Sequence, residues 1–139
     1  MPEQARMHDP IELTHRAFGF LNRRDLDAVM GLLSPTCVCD MSRLGRAVYT
    51  GAEAIREFSD DWLGTLYEYG VAVDEIEDLG NGVVRVDEVA HRARTSHGFY
   101  ETSSSLVGVW DDGLLTQVTL YPDPDEARAA AERLAQERR

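Results

Sequence analysis

Apolar residues recur along this chain with two different periods, and the change from one to the other separates helices from strands. Asp9-Pro10-Ile11-Glu12 combines a capping residue, proline at the first helical position and an early glutamate, so a helix opens there. Ile11, Phe18 and Leu21, with Leu13, Ala17 and Phe20 alongside, give it a one-sided apolar stripe. Asp25 caps a second helix that is expected to run through Leu33 and stop at Pro35. Thr50-Gly51-Ala52-Glu53 reads as a capping box for a third helix, with Ile55, Phe58, Trp62 and Leu66 on one face. Asp123-Pro124-Asp125-Glu126 opens a fourth, alanine-rich helix whose only large apolar residue is Leu134. So little apolar surface places it on the outside or as a lid over an opening.

Strand patterns fill the remainder. They cover 37–41, 71–78, 83–94, 99–110 and 114–121, and the third is long enough to bend. Gly80-Asn81-Gly82 is a hairpin signal and Asp112-Gly113 a tight turn, so consecutive strands pair as a meander. The predicted fold is α+β: a cone-shaped domain with N-terminal helices packed on a curved antiparallel sheet that encloses a pocket. One domain takes in residues 1–139, with 1–8 and 137–139 as flexible tails. The convex sheet face, with Val107 and Val109, is the expected homodimer surface.

Composition narrows the chemistry. The net charge is −11, which disfavours nucleic acid and anionic membrane surfaces as partners. All fourteen basic residues are arginine, so no lysine amine is available for a Schiff base. No apolar run reaches the length of a membrane span, and residues 1–9 do not read as a signal peptide, so a cytoplasmic location is expected. Cys37 and Cys39 read as small apolar packers, with a redox pair as the alternative. The histidines at 8, 15, 91 and 97 are scattered, and neither a metal site nor a cofactor loop is predicted.

The order of elements, with these particular segments, resembles the nuclear-transport-factor-2-like superfamily and, within it, the SnoaL-like proteins. The residues that carry the resemblance are Phe20-Leu21-Asn22-Arg23-Arg24-Asp25-Leu26-Asp27, Leu32-Leu33-Ser34-Pro35, Cys39-Asp40-Met41-Ser42-Arg43, the segment from Tyr49 to Phe58, and Tyr121-Pro122-Asp123. The resemblance implies the cone fold and a ligand pocket; it does not imply one reaction. The tyrosine and acids of ketosteroid isomerases fall here on Ala17, on Met41 and near Leu106 or Val107, so that set is absent. The acid–arginine–acid relay of limonene-type epoxide hydrolases finds Asp87 and Glu88, but only Leu120 at its last position.

The residues offer candidates of their own. With a strict period of two, Val84, Val86, Glu88 and Ala90 share one face of the third strand; Val83, Arg85, Asp87, Val89, His91 and Ala93 share the other. On an apolar inner face Glu88 becomes a desolvated carboxylate able to act as general acid or base; the bland alternative is a surface ion pair with Arg92. His91 and Asp87 are the acid–base pair if the other face looks inward. By resemblance, Leu115, Gln117, Thr119 and Tyr121 of the last strand turn toward the cavity, where Tyr121 supplies a phenol and Gln117 an amide. Otherwise Tyr121 packs under the last helix. Asp40 is a rim acid or a turn former. Trp62, Phe20, Phe58 and Thr119 complete the expected ligand contacts. The expected function is a cofactor-free acid–base enzyme for a hydrophobic, oxygenated small molecule. The alternative is a binding or dimerisation module, distinguished by whether an acid faces inward.

Overall fold

The computed structural model describes residues 9–139, the side chain of Glu88 excepted; the tail expected at 1–8 lies outside the described residues. Helix α1, Pro10–Asn22, starts as its sequence requires, with the Asp9 carboxylate accepting from the Ile11 amide at 3.0 Å. Helix α2, Leu26–Met30, has one turn and a half only, capped by Asp25. Leu33, expected to end that helix, instead opens strand β1, Leu33–Asp40. A 3-10 turn at Ser42–Leu44 leads to the short strand β2, Val48–Thr50. Helix α3, Ala52–Gly64, follows. Its cap is Gly51 at φ 95° with no side-chain bond, because Thr50 is already committed to β2; the predicted capping box does not form.

Five strands complete the sheet: β3, Glu68–Ala72; β4, Glu75–Gly80; β5, Val83–Thr95; β6, Gly98–Asp111; and β7, Leu114–Tyr121. The single strand expected over 71–78 is thus two, and both lie on β5: β4 pairs its first half and β3 its second. The strand order is β2-β1-β7-β6-β5-β3. From β4 to β7 the expected hairpins hold, but β1 pairs β7 in parallel, so the sheet is mixed rather than antiparallel. β1 enters from the helical layer and not through a hairpin turn, so no turn dictates its direction.

Helices α1 to α3 cover one face of the curved sheet. Two polar residues, one ending α1 and one in the turn to α2, lock them there. The Asn22 side chain exchanges two hydrogen bonds with the Val71 backbone, at 2.8 and 2.7 Å, and so behaves as a strand neighbour of β3. Arg24, at φ 56°, sends its guanidinium to the Leu63 and Leu66 carbonyls at the end of α3. The remaining helix, α4, Pro124–Glu137, covers the opposite face. Ala127, Ala131 and Ala135 recur every fourth residue and let it settle directly on Val83, Val107, Val109 and Tyr121. It is neither a lid nor a loose surface helix. Val107 and Val109, expected as a dimer surface, are buried beneath it. Residue Arg138, expected in a tail, caps α4 and bonds to the Asn81 carbonyl and the Asp111 carboxylate.

Two β-bulges decide which side chains look which way. β5 pairs Val86 with Leu106 and Val89 with Ser104, so Asp87 and Glu88 together face Ser105 alone. β7 pairs Gln117 with Val109 and Leu115 with Trp110, which leaves Thr116 as its extra residue. At each bulge the alternation of faces slips by one.

The hairpin between β4 and β5 tolerates only glycine at its third position. Gly82 has φ +83°, and a Cβ there would lie 2.1 Å from the Trp110 carbonyl oxygen. Its own carbonyl accepts from the Trp110 amide at 2.8 Å. Gly82→Ala is expected to destabilise the domain by roughly 2–4 kcal/mol, read as a fall in the urea midpoint at unchanged slope.

Candidate functional site

The helical layer does not fill the hollow of the sheet. A cavity of about 290 Å³ remains between α3, the loop after β1, and the far halves of β5 and β6. Met41, Leu44 and Arg46 reach it from the loop, Phe58 and Trp62 from α3, and Leu120 from β7. β5 contributes His91, and β6 contributes Tyr100, Thr102, Ser103 and Ser104, of which Tyr100, Thr102 and Ser104 share the face of His91. A smaller space of about 130 Å³ lies further along the same sheet face under α1, bounded by residues such as Phe18, Leu21, Leu106 and Val118. Its one hydroxyl, on Thr14, is already engaged by the Trp110 indole and the Pro10 carbonyl.

His91 faces the cavity because of the bulge in β5. Before it, Val84 and Val86 point to the helices while Arg85 and Asp87 point to α4; after it, Val89 and His91 point to the helices. The single face expected to carry Asp87 and His91 together is therefore split, and these two residues lie on opposite sides of the sheet. His91 Nδ1 lies 2.8 Å from the Tyr69 hydroxyl. Trp62 stands edge-on to both rings, at 4.9 Å from Tyr69 and 6.1 Å from His91 between centroids. Among the described residues no buried side-chain nitrogen or oxygen lacks a partner, and Nε2 of His91 has no partner among them, so that nitrogen is not sealed in the core, and His91 lines the cavity. Burial, and behind it the positive charge of Arg46, hold the His91 imidazole below its usual pKa and keep it neutral near pH 7. Burial, with the neighbouring Tyr100, pushes the Tyr69 phenol up, so it stays protonated.

Of the other predicted site residues, Trp62 and Phe58 line the cavity, stacked 6.2 Å apart. Phe20 lies against the Arg23 guanidinium instead, at 5.2 Å. Gln117, Thr119 and Tyr121 do not line it. The bulge at Thr116 turns Val118 and Leu120 inward and sends those three outward, with Tyr121 packed under α4. Asp40 shares that outer side. It accepts from the Ser42 amide and hydroxyl at 2.9 and 2.6 Å and pairs with Arg43, which lies over the Tyr121 ring. The Ser42 hydrogen bonds lower the Asp40 carboxyl pKa and make it a turn former. The Glu88 side chain lies outside the described residues.

Tyr69, Arg46 and the β6 hydroxyls were not anticipated. Tyr69 lies before the apolar run that signalled the second strand, and its direction follows only from pairing with Ala93. Arg46 sits in a polar loop with no periodicity to read. The alternation of Tyr100, Thr102 and Ser104 was legible, but not which face they take. The cysteines are free thiols, Cys37 buried and Cys39 half-buried, and burial pushes each up to about 11, which fits packing rather than redox exchange. Among the described residues no group of three histidine, cysteine, aspartate or glutamate side chains converges to hold a metal ion. No helix among them is long and apolar enough to cross a membrane.

The sequence matches no protein-family profile and no curated protein. Solved structures match it well in shape. A pinacolase, BvnE, from Penicillium brevicompactum superposes with a TM-score of 0.72 at 22% identity, covering 94% of this chain and 96% of that one. A putative SnoaL-like polyketide cyclase from Shewanella putrefaciens CN-32 gives 0.69 at 12% identity, over 96% of this chain and 98% of that one. TerC, co-crystallised with polyporic acid, gives 0.70 at 16% identity, over 89% and 98%. At such identities shape is what is shared: helices on a curved, unclosed sheet around a pocket, which is the nuclear-transport-factor-2-like fold.

Proposed function

We propose that the protein is a small-molecule acid–base enzyme in which His91 moves a proton to or from an oxygenated aromatic compound held in the cavity. The observation that carries this reading is the state of His91: a half-buried imidazole lining the cavity, neutral, with one nitrogen held by Tyr69 and the other without a partner among the described residues. The Tyr69 hydroxyl can donate or accept, so it satisfies Nδ1 in either tautomer. His91 therefore serves as base through a free Nε2 lone pair, or as acid through an Nε2–H, and Tyr69 is a positioning residue. Trp62 and Phe58 form an aromatic wall against which a planar ligand can stack. The Thr102 and Ser104 hydroxyls of β6 offer donors to a carbonyl or ring oxygen. The proton transfer requires no cofactor. Neighbours of this fold that are described as a pinacolase and a putative polyketide cyclase, and one crystallised with polyporic acid, are in keeping with such a ligand.

A second reading, a binding module without turnover, draws on one observation: none of the described residues lining the cavity is a carboxylate. The two separate on proton exchange. With a panel of enolisable aryl ketones in D2O, followed by mass spectrometry, the wild-type protein is expected to accelerate deuterium uptake beside the carbonyl of at least one member. His91→Gln is expected to lower that rate by about 10²-fold or more while near-ultraviolet circular dichroism stays native. Acceleration that survives in His91→Gln removes His91 from the chemistry, and no acceleration across the panel favours the binding module.

The depressed pKa also enters stability. Between His91's own pKa and about 6.5 the unfolded chain binds a proton that the folded chain does not. Stability is therefore expected to rise with pH through that window and to level off above it. Urea titrations from pH 5 to 8 should show this rise reduced in His91→Gln, whose side chain does not titrate.

A further inference from the structure

The arginines of the described chain are mostly engaged by other protein groups. Arg16, Arg43, Arg56, Arg92, Arg94, Arg128 and Arg138 pair with carboxylates, Arg85 is buried among three of them, and Arg24 holds two carbonyls. Arg46 has no carboxylate within ion-pair distance among the described residues, and it is the one arginine among them that lines the cavity.

Its backbone is held in place. The Arg46 and Leu44 amides both donate to the Met41 carbonyl, at 3.1 and 3.0 Å, and the Met41 amide donates to Ala47 at 3.2 Å. Gly45, at φ +76°, makes the sharp turn between them, and Asp40 ties down the start of the loop through Ser42. The closed loop fixes the Arg46 backbone beside an aromatic-walled cavity, so binding has only the exposed side chain to order. Its planar fork of donors matches a two-oxygen anion. Arg46 and His91 line the same space, and the imidazole is neutral, so an anion at Arg46 meets no competing carboxylate among the described lining residues.

We propose that the cavity takes a small aromatic anion, its rings against Trp62 and Phe58 and its anionic oxygens on the Arg46 guanidinium. This rests on the reading of the cavity as a small-molecule site and adds the charge of the substrate class. In a chain of net charge −11 the preference is local: the surface as a whole repels anions, and this loop attracts one.

The test uses two ligands of the same shape, 2-naphthoate and 2-naphthamide, titrated calorimetrically into the full-length protein at pH 7.5. Wild type is expected to bind the carboxylate at least about tenfold more tightly than the amide. Arg46→Gln, at an exposed position, is expected to abolish that difference by weakening naphthoate and to leave naphthamide within about twofold. Arg46→Lys should retain part of it, keeping the charge and losing the fork. Equal affinity of the two ligands for wild type overturns the proposal. So does equal weakening of both by Arg46→Gln, or failure of naphthoate to bind at millimolar concentration. The outcome is separable from the acid–base reading. If the naphthoate preference holds while ketone exchange fails, the catalytic reading alone falls; if exchange holds and the preference is missing, the anion proposal alone falls.

Discussion

Between Val86 and Val89 the central strand β5 carries one residue more than the strand it pairs with, and much of the molecule is arranged around that surplus. A strand with side chains on strict alternation would keep Arg85, Asp87 and His91 on one side of the sheet. The bulge breaks the alternation in the middle of the strand. Its first half turns Val83 and Arg85 to α4 and Val84 and Val86 to α1. Its second half turns His91 to the cavity. One strand thus supplies an apolar core, the buried arginine of an ion-pair network on the back face and a titratable group on the front face, with no crossing of polar groups through the core.

The back face shows what the other half of that division supports. Arg85 is almost wholly buried yet stays charged: burial works against the guanidinium, but the hydrogen bond to Glu77 and the charges of Glu77, Asp87 and Glu75 outweigh it. Glu77 also takes Arg128 from α4 in two bonds, at 3.0 and 2.9 Å. The charged network fastens this helix to β4 and β5, and the alanine stripe fastens it to β5, β6 and β7. On the front face Arg46 has no such partners among the described residues, and that contrast with Arg85 supports the proposed anion site.

The front face also shows why shape alone leaves the chemistry open. Superposable relatives at 22% identity or less share the helical cover and the hollow sheet. They need not share the two or three side chains that decide what happens inside. In the function proposed here those are His91, Tyr69 and Arg46, from β5, β3 and a loop. Their convergence is a product of strand pairing and loop closure.

Much of the architecture can be read from residue order alone. Capping residues, proline positions and apolar periodicity mark all four helix starts, although α3 is capped by Gly51 and not by Thr50, and turn glycines such as those flanking Asn81 mark the hairpins. These signals are local, because they act over a few residues through backbone hydrogen bonds and allowed dihedrals. Trp62, Phe58 and His91 could be nominated for the same reason, as large or titratable residues on recognisable stripes. The inward face of a long strand could not. Bulges at Asp87-Glu88 and at Thr116 each reverse the parity, and a bulge forms where the partner strands and packed helices demand one. The parallel pairing of β1 with β7, the place of α4 behind the sheet, and the loss of Tyr121, Gln117 and Asp40 from the cavity belong to the same class. They depend on contacts between segments far apart in sequence, whose free energies exist only once the sheet is assembled.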